Sequence, residues 1–285
     1  MSNRMSWGAR SYLLFGFAFL YLPILCLMVF SFTGGEITTQ FAGFSTRWYV
    51  ELWNDDEIQS AVKLSLKIGI AAASAAVVLG TLSGLVLARF KRYAGSGFFA
   101  GMTTAPMVMP EVIVGLSLVL LFTNQTMNDL LPWLAGRGVT AIWAAHTTLC
   151  TAYVAVLVQS RLREMDRSLE DAAMDLGCHP FKVFFLITIP VIAPALVSGW
   201  LLSFTLSMDD FVLSSMLSDP GATTLPVLVF ARLHHGLKPE INALATVIVV
   251  LVSIAVIVAN RVMWRAQKRR EQAIAAAMAA SGQSH

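Results

Sequence analysis

Three carboxylates lie in or directly beside long apolar segments, where charged side chains are unusual. Glu111 is the only charged residue within the 35 residues 94–128, and Asp209 and Asp210 follow another apolar run. Removing an ionised acid from water costs several kcal/mol unless it is paired or hydrated. Each of these carboxylates must therefore face protein, water or a cation.

The residues around Glu111 predict a helix that starts or breaks at this acid. Pro110 comes immediately before it and Pro106 one turn earlier, and proline removes a backbone donor and disrupts a helix interior. The free amides beyond the break could also stabilise the carboxylate. We favour a role for Glu111 in a cation path. The alternative is a buried structural acid hydrogen-bonded to a neighbouring helix.

Adjacent carboxylates repel, so a nearby cation would stabilise Asp209 and Asp210. The alternative is that both are solvated loop charges at a helix end. Trp48 could offer its aromatic face to an ammonium group, although tryptophan at a membrane surface is more often an anchor. These four side chains, namely Trp48, Glu111, Asp209 and Asp210, are the candidate path residues.

The composition places the chain in the membrane class. Apolar residues make up 56% and charged residues 13%, against roughly 25% charged in soluble proteins. This excludes a disordered, a nucleic-acid-binding or a disulfide-rich secreted protein. The three cysteines are expected to be unpaired, and the five histidines lack metal-ligand spacing.

Apolar stretches predict an all-α protein with six transmembrane helices, since about 20 apolar residues cross a bilayer. We expect that the connection 211–231, broken by Asp219-Pro220-Gly221, is a folded loop. The predicted spans are Ser11–Gly35, Ile68–Ala88, Ala94–Asn128, Gly138–Ser160, Val183–Met208 and Ile241–Asn260.

Lysine and arginine are retained on the cytoplasmic side of a membrane. With both termini inside, 14 of the 20 basic residues are cytoplasmic and six, namely Arg47, Lys63, Lys67, Arg137, Arg232 and Lys238, are external. The chain then divides into a cytoplasmic N-terminus (1–10), a transmembrane domain (11–260) and a basic cytoplasmic tail (261–285), frayed from residue 271. The external loops, with ten acids, are net negative.

A patterned cytoplasmic loop spans residues 161–190. Ser168 and Asp171 form a capping box that predicts a helix from Leu169, Gly177 is placed to end it, and Pro180 suits the start of a second short helix. We call this helix–glycine–helix segment, residues 168–184, the knuckle. The predicted apolar face of the loop consists of Leu162, Met165, Leu169, Ala172, Ala173 and Leu176, opposite Arg161, Arg163, Asp166, Arg167, Glu170 and Asp175.

This loop resembles the EAA loop of ABC importer permeases. Asp171-Ala172-Ala173, Gly177 and Ile187-Thr188-Ile189-Pro190 have the spacing of E-A-A-x3-G-x9-I-x-L-P, with Asp171 in place of glutamate and Ile189 in place of leucine. The resemblance implies that the residues that couple the chain to an ATPase are Glu170, Asp171, Ala172, Ala173, Gly177 and Pro190.

Longer stretches are similar to polyamine importer permeases, and within them to the putrescine type. They are Trp48-Tyr49, 105–113, 170–177, 207–210, 220–226 and 239–246. The resemblance implies a type I importer in the bacterial inner membrane. In such an importer two six-helix permeases pair, a cytoplasmic ATPase dimer binds ATP and magnesium, and a periplasmic polyamine-binding protein delivers the substrate.

The chain has no G-x-x-x-x-G-K-[ST] phosphate loop, so energy must come from a partner and this chain carries no cofactor of its own. One alternative keeps the importer and changes the solute. A second is an ion-coupled secondary transporter, and a third is a membrane enzyme. The absence of a convergent nucleophile, base or metal cluster outside the spans disfavours the enzyme.

Overall fold

The computed structural model of the chain describes residues 7–38, 40–90, 93–234 and 238–282. Within these ranges the chain is α-helical, apart from connecting loops and one isolated β-bridge between Thr33 and Phe44. The all-α prediction is confirmed. The chain forms two compact units, one from its two terminal parts and the other from residues 56–233.

The terminal unit contains α1 (Trp7–Phe30), α2 (Arg47–Asn54) and α13 (Pro239–Gly282), and α13 packs against both other helices. None of the 24 residues of α1 is buried although the helix is strongly apolar, which suits a surface covered by lipid or by protein. The expectation of a frayed tail from residue 271 is wrong up to Gly282. Alanine is the strongest helix former, and this segment is rich in it; residues 283–285 lie outside the described part.

The second unit is built on three long helices. They are α3 (Asp56–Arg89), α7 (Val139–Glu164) and α10 (Ile189–Asp209), and α3 and α10 each pack against α7 and against one another. We call the end where α3 and α7 finish and α10 begins the knuckle end, and the other the opposite end.

Each of the six predicted spans coincides with helix over most of its length. Among the described residues, four helices are long and apolar enough to cross a membrane alone, namely α1, α3, α7 and the continuous helical stretch Pro180–Asp209. The third predicted span is not one straight helix. It divides into α4 (Ser96–Val108) and α5 (Glu111–Phe122), bent by 111°, because Pro110 cannot continue the hydrogen-bond ladder. The sixth predicted span lies inside α13.

Glycines let α3 and α7 approach closely. A Cβ atom on Gly80 would lie 2.6 Å from Val154 Cβ, and one on Gly84 would lie 2.8 Å from the carbonyl oxygen of Ala155. The core beside them, towards the knuckle end, includes Ala76, Ala88, Cys150, Val154, Val158, Leu162 and Ile192. These three helices therefore form one packed body.

The connection 211–231 is a folded loop, as predicted. It contains the short helices α11 (Val212–Leu217) and α12 (Leu225–His234), separated by the turn at Asp219–Gly221. The Leu225 amide donates to Ser65 Oγ on α3 at 2.8 Å, which ties this loop to the opposite end of the long helices.

Candidate functional site

The knuckle has the helix–glycine–helix form predicted from its sequence. Helix α8 (Ser168–Asp175) ends two residues before Gly177, whose φ is +87°. The Gly177 amide donates to the Met174 carbonyl and the Cys178 amide to the Ala173 carbonyl, which together form a Schellman motif. Pro180 then occupies the first position of α9 (Pro180–Val183).

The predicted capping box is wrong. Ser168 is already inside α8, and its side chain does not cap the helix. Instead the Ser168 amide and hydroxyl both donate to the carboxylate of Asp166, at 3.0 and 2.7 Å. These hydrogen bonds hold the pKa of Asp166 below its ordinary value, because they stabilise the ionised form.

The second arm of the knuckle continues directly into α10. A π-helical turn at Phe184–Thr188 joins α9 to α10, and Pro190 lies in the first turn of α10. A π-helical turn usually occurs as a single turn within a longer α-helix. A movement of α9 would therefore be transmitted to α10 along a continuous helical rod.

The predicted apolar face does not form a single surface. α7 ends at Glu164 and α8 begins at Ser168, so Leu162 is buried in the core while Leu169 belongs to a separate helix. An exposed apolar surface nevertheless remains on the knuckle. Leu169, Leu176 and Phe181 are exposed by 50%, 87% and 68%, and such surface is typical of a protein interaction site.

Glu170 faces the helix bundle, whereas Asp171 and Ala172 are exposed. Glu170 Oε1 accepts a hydrogen bond from Thr188 Oγ1 at 2.6 Å, and Oε2 lies 2.6 Å from Arg89 Nη2. The helical pattern predicted Glu170 on the polar face of the loop, whereas in the structure its carboxylate turns towards the bundle. Both partners lie far from Glu170 in the chain, so local periodicity could not reveal them.

The two neighbouring acids at the opposite end have different environments. Asp209, the last residue of α10, is exposed, and Asp210 is buried. Asp210 accepts hydrogen bonds from the amides of Leu213 and Ser214 at 3.3 and 2.8 Å and contacts His146 Nε2 at 3.0 Å. In this structure Asp210 therefore has the environment of a structural acid, and the role of the two acids in a substrate path stays a prediction.

Glu111 is the first residue of α5 and is exposed at the bend after Pro110. Its position confirms the predicted helix break. Within the described residues the Glu111 carboxylate makes no hydrogen bond and no ion pair. It is a free acid at an interruption of an apolar span.

Trp48 is only 3% exposed and belongs to the terminal unit. Its indole Nε1 donates to the Thr33 carbonyl at 2.8 Å. The guanidinium of the adjacent Arg47 lies 5.1 Å from the centre of its ring. The cation near the Trp48 ring is thus the side chain of Arg47. This arrangement corresponds to a packing role for Trp48.

A basic pocket at the opposite end was not predicted. A cavity of ≈ 460 Å³ lies between α3 and the 219–223 turn, and its lining includes Glu57, Lys63 and Lys67. Glu57 is paired with Arg232 at 2.7 Å, which leaves a net positive lining. The expected external excess of acids therefore does not extend to this pocket.

Comparison with known proteins identifies relatives over most of the chain. Residues 76–272 match the family described as binding-protein-dependent transport system inner membrane component. The chain is 57% identical over 258 residues to the putrescine transport system permease protein PotI of Escherichia coli, covering 90% of this chain and 91% of the relative. It is 36% identical to the spermidine/putrescine transport system permease protein PotC of Haemophilus influenzae, covering 87% and 93%.

Solved structures show the same fold at low sequence identity. A bacterial alginate ABC transporter in complex with an alginate pentasaccharide-bound periplasmic protein has a chain with a TM-score of 0.68 at 16% identity, covering 87% of this chain and 89% of its own. A crystal structure of a bacterial ABC transporter that imports alginate gives a TM-score of 0.65 at 15% identity, covering 91% and 99%. At these identities the likeness concerns the fold alone.

Proposed function

Because the chain belongs to the family of binding-protein-dependent transport system inner membrane components, we propose that it is the permease subunit of an ATP-driven polyamine importer. Putrescine is the proposed substrate. The observation that carries this proposal is the 57% identity, over 90% of the chain, to a putrescine permease.

We propose that the knuckle docks into a groove of a cytoplasmic ATPase dimer, which binds ATP and magnesium in place of the phosphate loop that this chain lacks. The exposed apolar surface around Leu176 and Phe181 supports this assignment. Closure of the ATPase pushes α10 through the continuous helical stretch Pro180–Asp209, so that the helices alternate between inward-open and outward-open arrangements.

The remaining partners follow from the family. A binding protein delivers the solute, and a second, homologous permease pairs with this chain in the bacterial inner membrane. We place the knuckle end and both termini in the cytoplasm, because 14 of the 20 basic residues then lie inside.

For the substrate path we propose Glu111 and Asp209, the two exposed acids among the candidates. A diamine carries two ammonium groups, which can pair with separate carboxylates as they pass. Their role is to lower the barrier to a cation, while selection rests mainly on the binding protein.

Transport by a reconstituted complex tests the proposal. The chain is incorporated in liposomes with its second permease and the ATPase, and the loaded binding protein is added on the outer side. Labelled putrescine should accumulate, and an uncharged sugar should not. Accumulation of the sugar without the diamine would contradict the proposed substrate, and uptake that follows an ion gradient without ATP would favour a secondary transporter.

A further inference from the structure

We propose that Glu170 is a positioning residue that latches the knuckle to two long helices, so that force from the ATPase reaches both at once. We call Arg89, Glu170 and Thr188 the latch. This inference rests on the proposed coupling function of the knuckle, and it assigns Glu170 to the inside of the permease and not to the ATPase surface.

The geometry of the latch joins three elements through one carboxylate. Arg89 is the last residue of α3, Glu170 lies in α8, and Thr188 ends the π-helical turn directly before α10. Each oxygen of Glu170 has a different partner, Thr188 Oγ1 at 2.6 Å and Arg89 Nη2 at 2.6 Å. The latch is therefore the point where the knuckle holds α3 and α10 together.

Burial makes these contacts strong. The side chains of Arg89 and Glu170 are 14% and 16% exposed, and Thr188 is buried. Arg89 Nη2 is at ion-pair distance from Glu170 but is not aligned as a hydrogen-bond donor. The two side chains therefore attract each other as opposite charges. The hydroxyl of Thr188, in contrast, makes a short charge-assisted hydrogen bond, which is about twice as strong as a neutral one.

Packing elsewhere between the knuckle and the bundle is incomplete. A cavity of ≈ 380 Å³ adjoins the latch, and its lining also includes the apolar side chains of Leu85, Met174 and Phe184. The apolar side chains that line this cavity adjoin open space on that side and not a packed partner. Beside this cavity, the polar contacts of the latch connect the knuckle to the bundle.

The latch reaches the body of the protein directly. Ala88, beside Arg89, belongs to the same buried core as Ile192 of α10 and Val158 of α7. Close-packed interiors transmit displacement because they deform little. A shift of α8 would thus move α3 and α10 as one body. Without the latch, movement of the knuckle would reach α10 only through α9 and would not reach α3 through Glu170.

The test measures putrescine taken up per ATP hydrolysed by the complete reconstituted complex. Glu170→Gln and Arg89→Gln should each lower this ratio on the order of tenfold, and the double variant should lower it no further, since both remove one interaction. Thr188→Val should also lower this ratio. Thr188→Ser keeps the hydroxyl and should therefore keep the wild-type ratio. The matched control is Glu164→Gln, which breaks an exposed ion pair with Arg161 and should leave the ratio unchanged.

Three results would overturn the latch. They are a normal ratio in Glu170→Gln, losses that multiply in the double variant, and release of the ATPase from Glu170→Gln during purification, which would place Glu170 at the ATPase surface. If putrescine is not the substrate, the result is distinguishable, because the wild-type complex would then hydrolyse ATP without accumulating putrescine. In that case the latch is tested by the thermal unfolding of the same complexes. Additive losses of unfolding temperature for Arg89→Gln and Glu170→Gln would contradict the latch.

Discussion

His146 and Asp210 form a buried pair that joins α7 to the end of α10. His146 Nε2 lies 3.0 Å from Asp210 Oδ2, and His146 Nδ1 lies 2.7 Å from Ser207 Oγ. Ser214 Oγ, at the start of α11, approaches the same Nε2 at 3.2 Å. One histidine therefore fixes the point at which α10 ends and the folded loop begins.

Because Asp210 belongs to this buried pair and Asp209 does not, we expect Asp210→Asn to lower stability and Asp209→Asn to lower transport. Loss of the buried carboxylate in Asp210→Asn should lower the free energy of unfolding by about 2 kcal/mol, because buried donors lose a charged acceptor. Asp209→Asn changes an exposed side chain and should leave stability unchanged while it lowers polyamine uptake. Thermal unfolding of the purified permease, together with uptake per assembled complex, distinguishes them.

Glu111→Gln is the companion substitution for the path and should behave like Asp209→Asn. If both neutral variants transport at the wild-type rate, neither acid contributes to the path. Equal loss of stability in Asp209→Asn and Asp210→Asn would instead contradict the different environments of the two acids.

Close packing of α3 on α7 predicts that Gly80→Ala and Gly84→Ala destabilise the protein. The added Cβ atoms would lie 2.6 and 2.8 Å from atoms of α7, and overpacking of this kind costs about 1–3 kcal/mol. Gly101→Ala in α4 is the control, because a Cβ there meets no atom within 4 Å. A similar unfolding temperature for all three variants would mean that the two helices separate easily.

The left-handed backbone of Gly177 predicts a specific pattern of tolerance. Gly177→Val should cost about 1–2 kcal/mol in backbone conformation alone, since a Cβ at this position meets no neighbouring atom. Gly177→Asn should be tolerated because asparagine also ends helices in this conformation. ATPase co-purification and uptake should fall for valine only, and equal loss for both would indicate a steric limit set by the ATPase.

The exposed apolar residues of the knuckle predict which surface of this chain binds the ATPase. Leu176→Asp should weaken ATPase binding without lowering the unfolding temperature, because this side chain is 87% exposed. The control is Leu130→Asp in α6 (Gln125–Leu130) at the opposite end, which replaces a 69% exposed leucine. Titration of the ATPase against both purified variants measures the difference, and unchanged affinity for Leu176→Asp would exclude this surface.

Local sequence signals predicted the main features of the fold. Apolar length gave the spans, the proline before Glu111 marked the bend, and Gly177 with Pro180 marked the turn of the knuckle. Each of these features depends on the backbone chemistry of a few consecutive residues, so a single sequence is sufficient to reveal it.

Features that depend on distant pairs could not be predicted in this way. Glu170 turns inward because Arg89 and Thr188 lie there, and Asp210 is buried because His146 lies on another helix. In the sequence alone, His146 is a lone histidine in an apolar span and Arg89 is an arginine at the end of a span. Neither pattern by itself indicates a distant partner. Only the packing of α3, α7 and α10 brings these partners together.

We propose above that the knuckle transmits the action of a separate ATPase to this permease. The most direct measurement is the initial rate of labelled putrescine uptake into liposomes that contain the permease pair, with and without the ATPase and ATP. We expect uptake only when both the ATPase and ATP are present, and none with a non-hydrolysable ATP analogue. Uptake at the same rate by the permeases alone would contradict it.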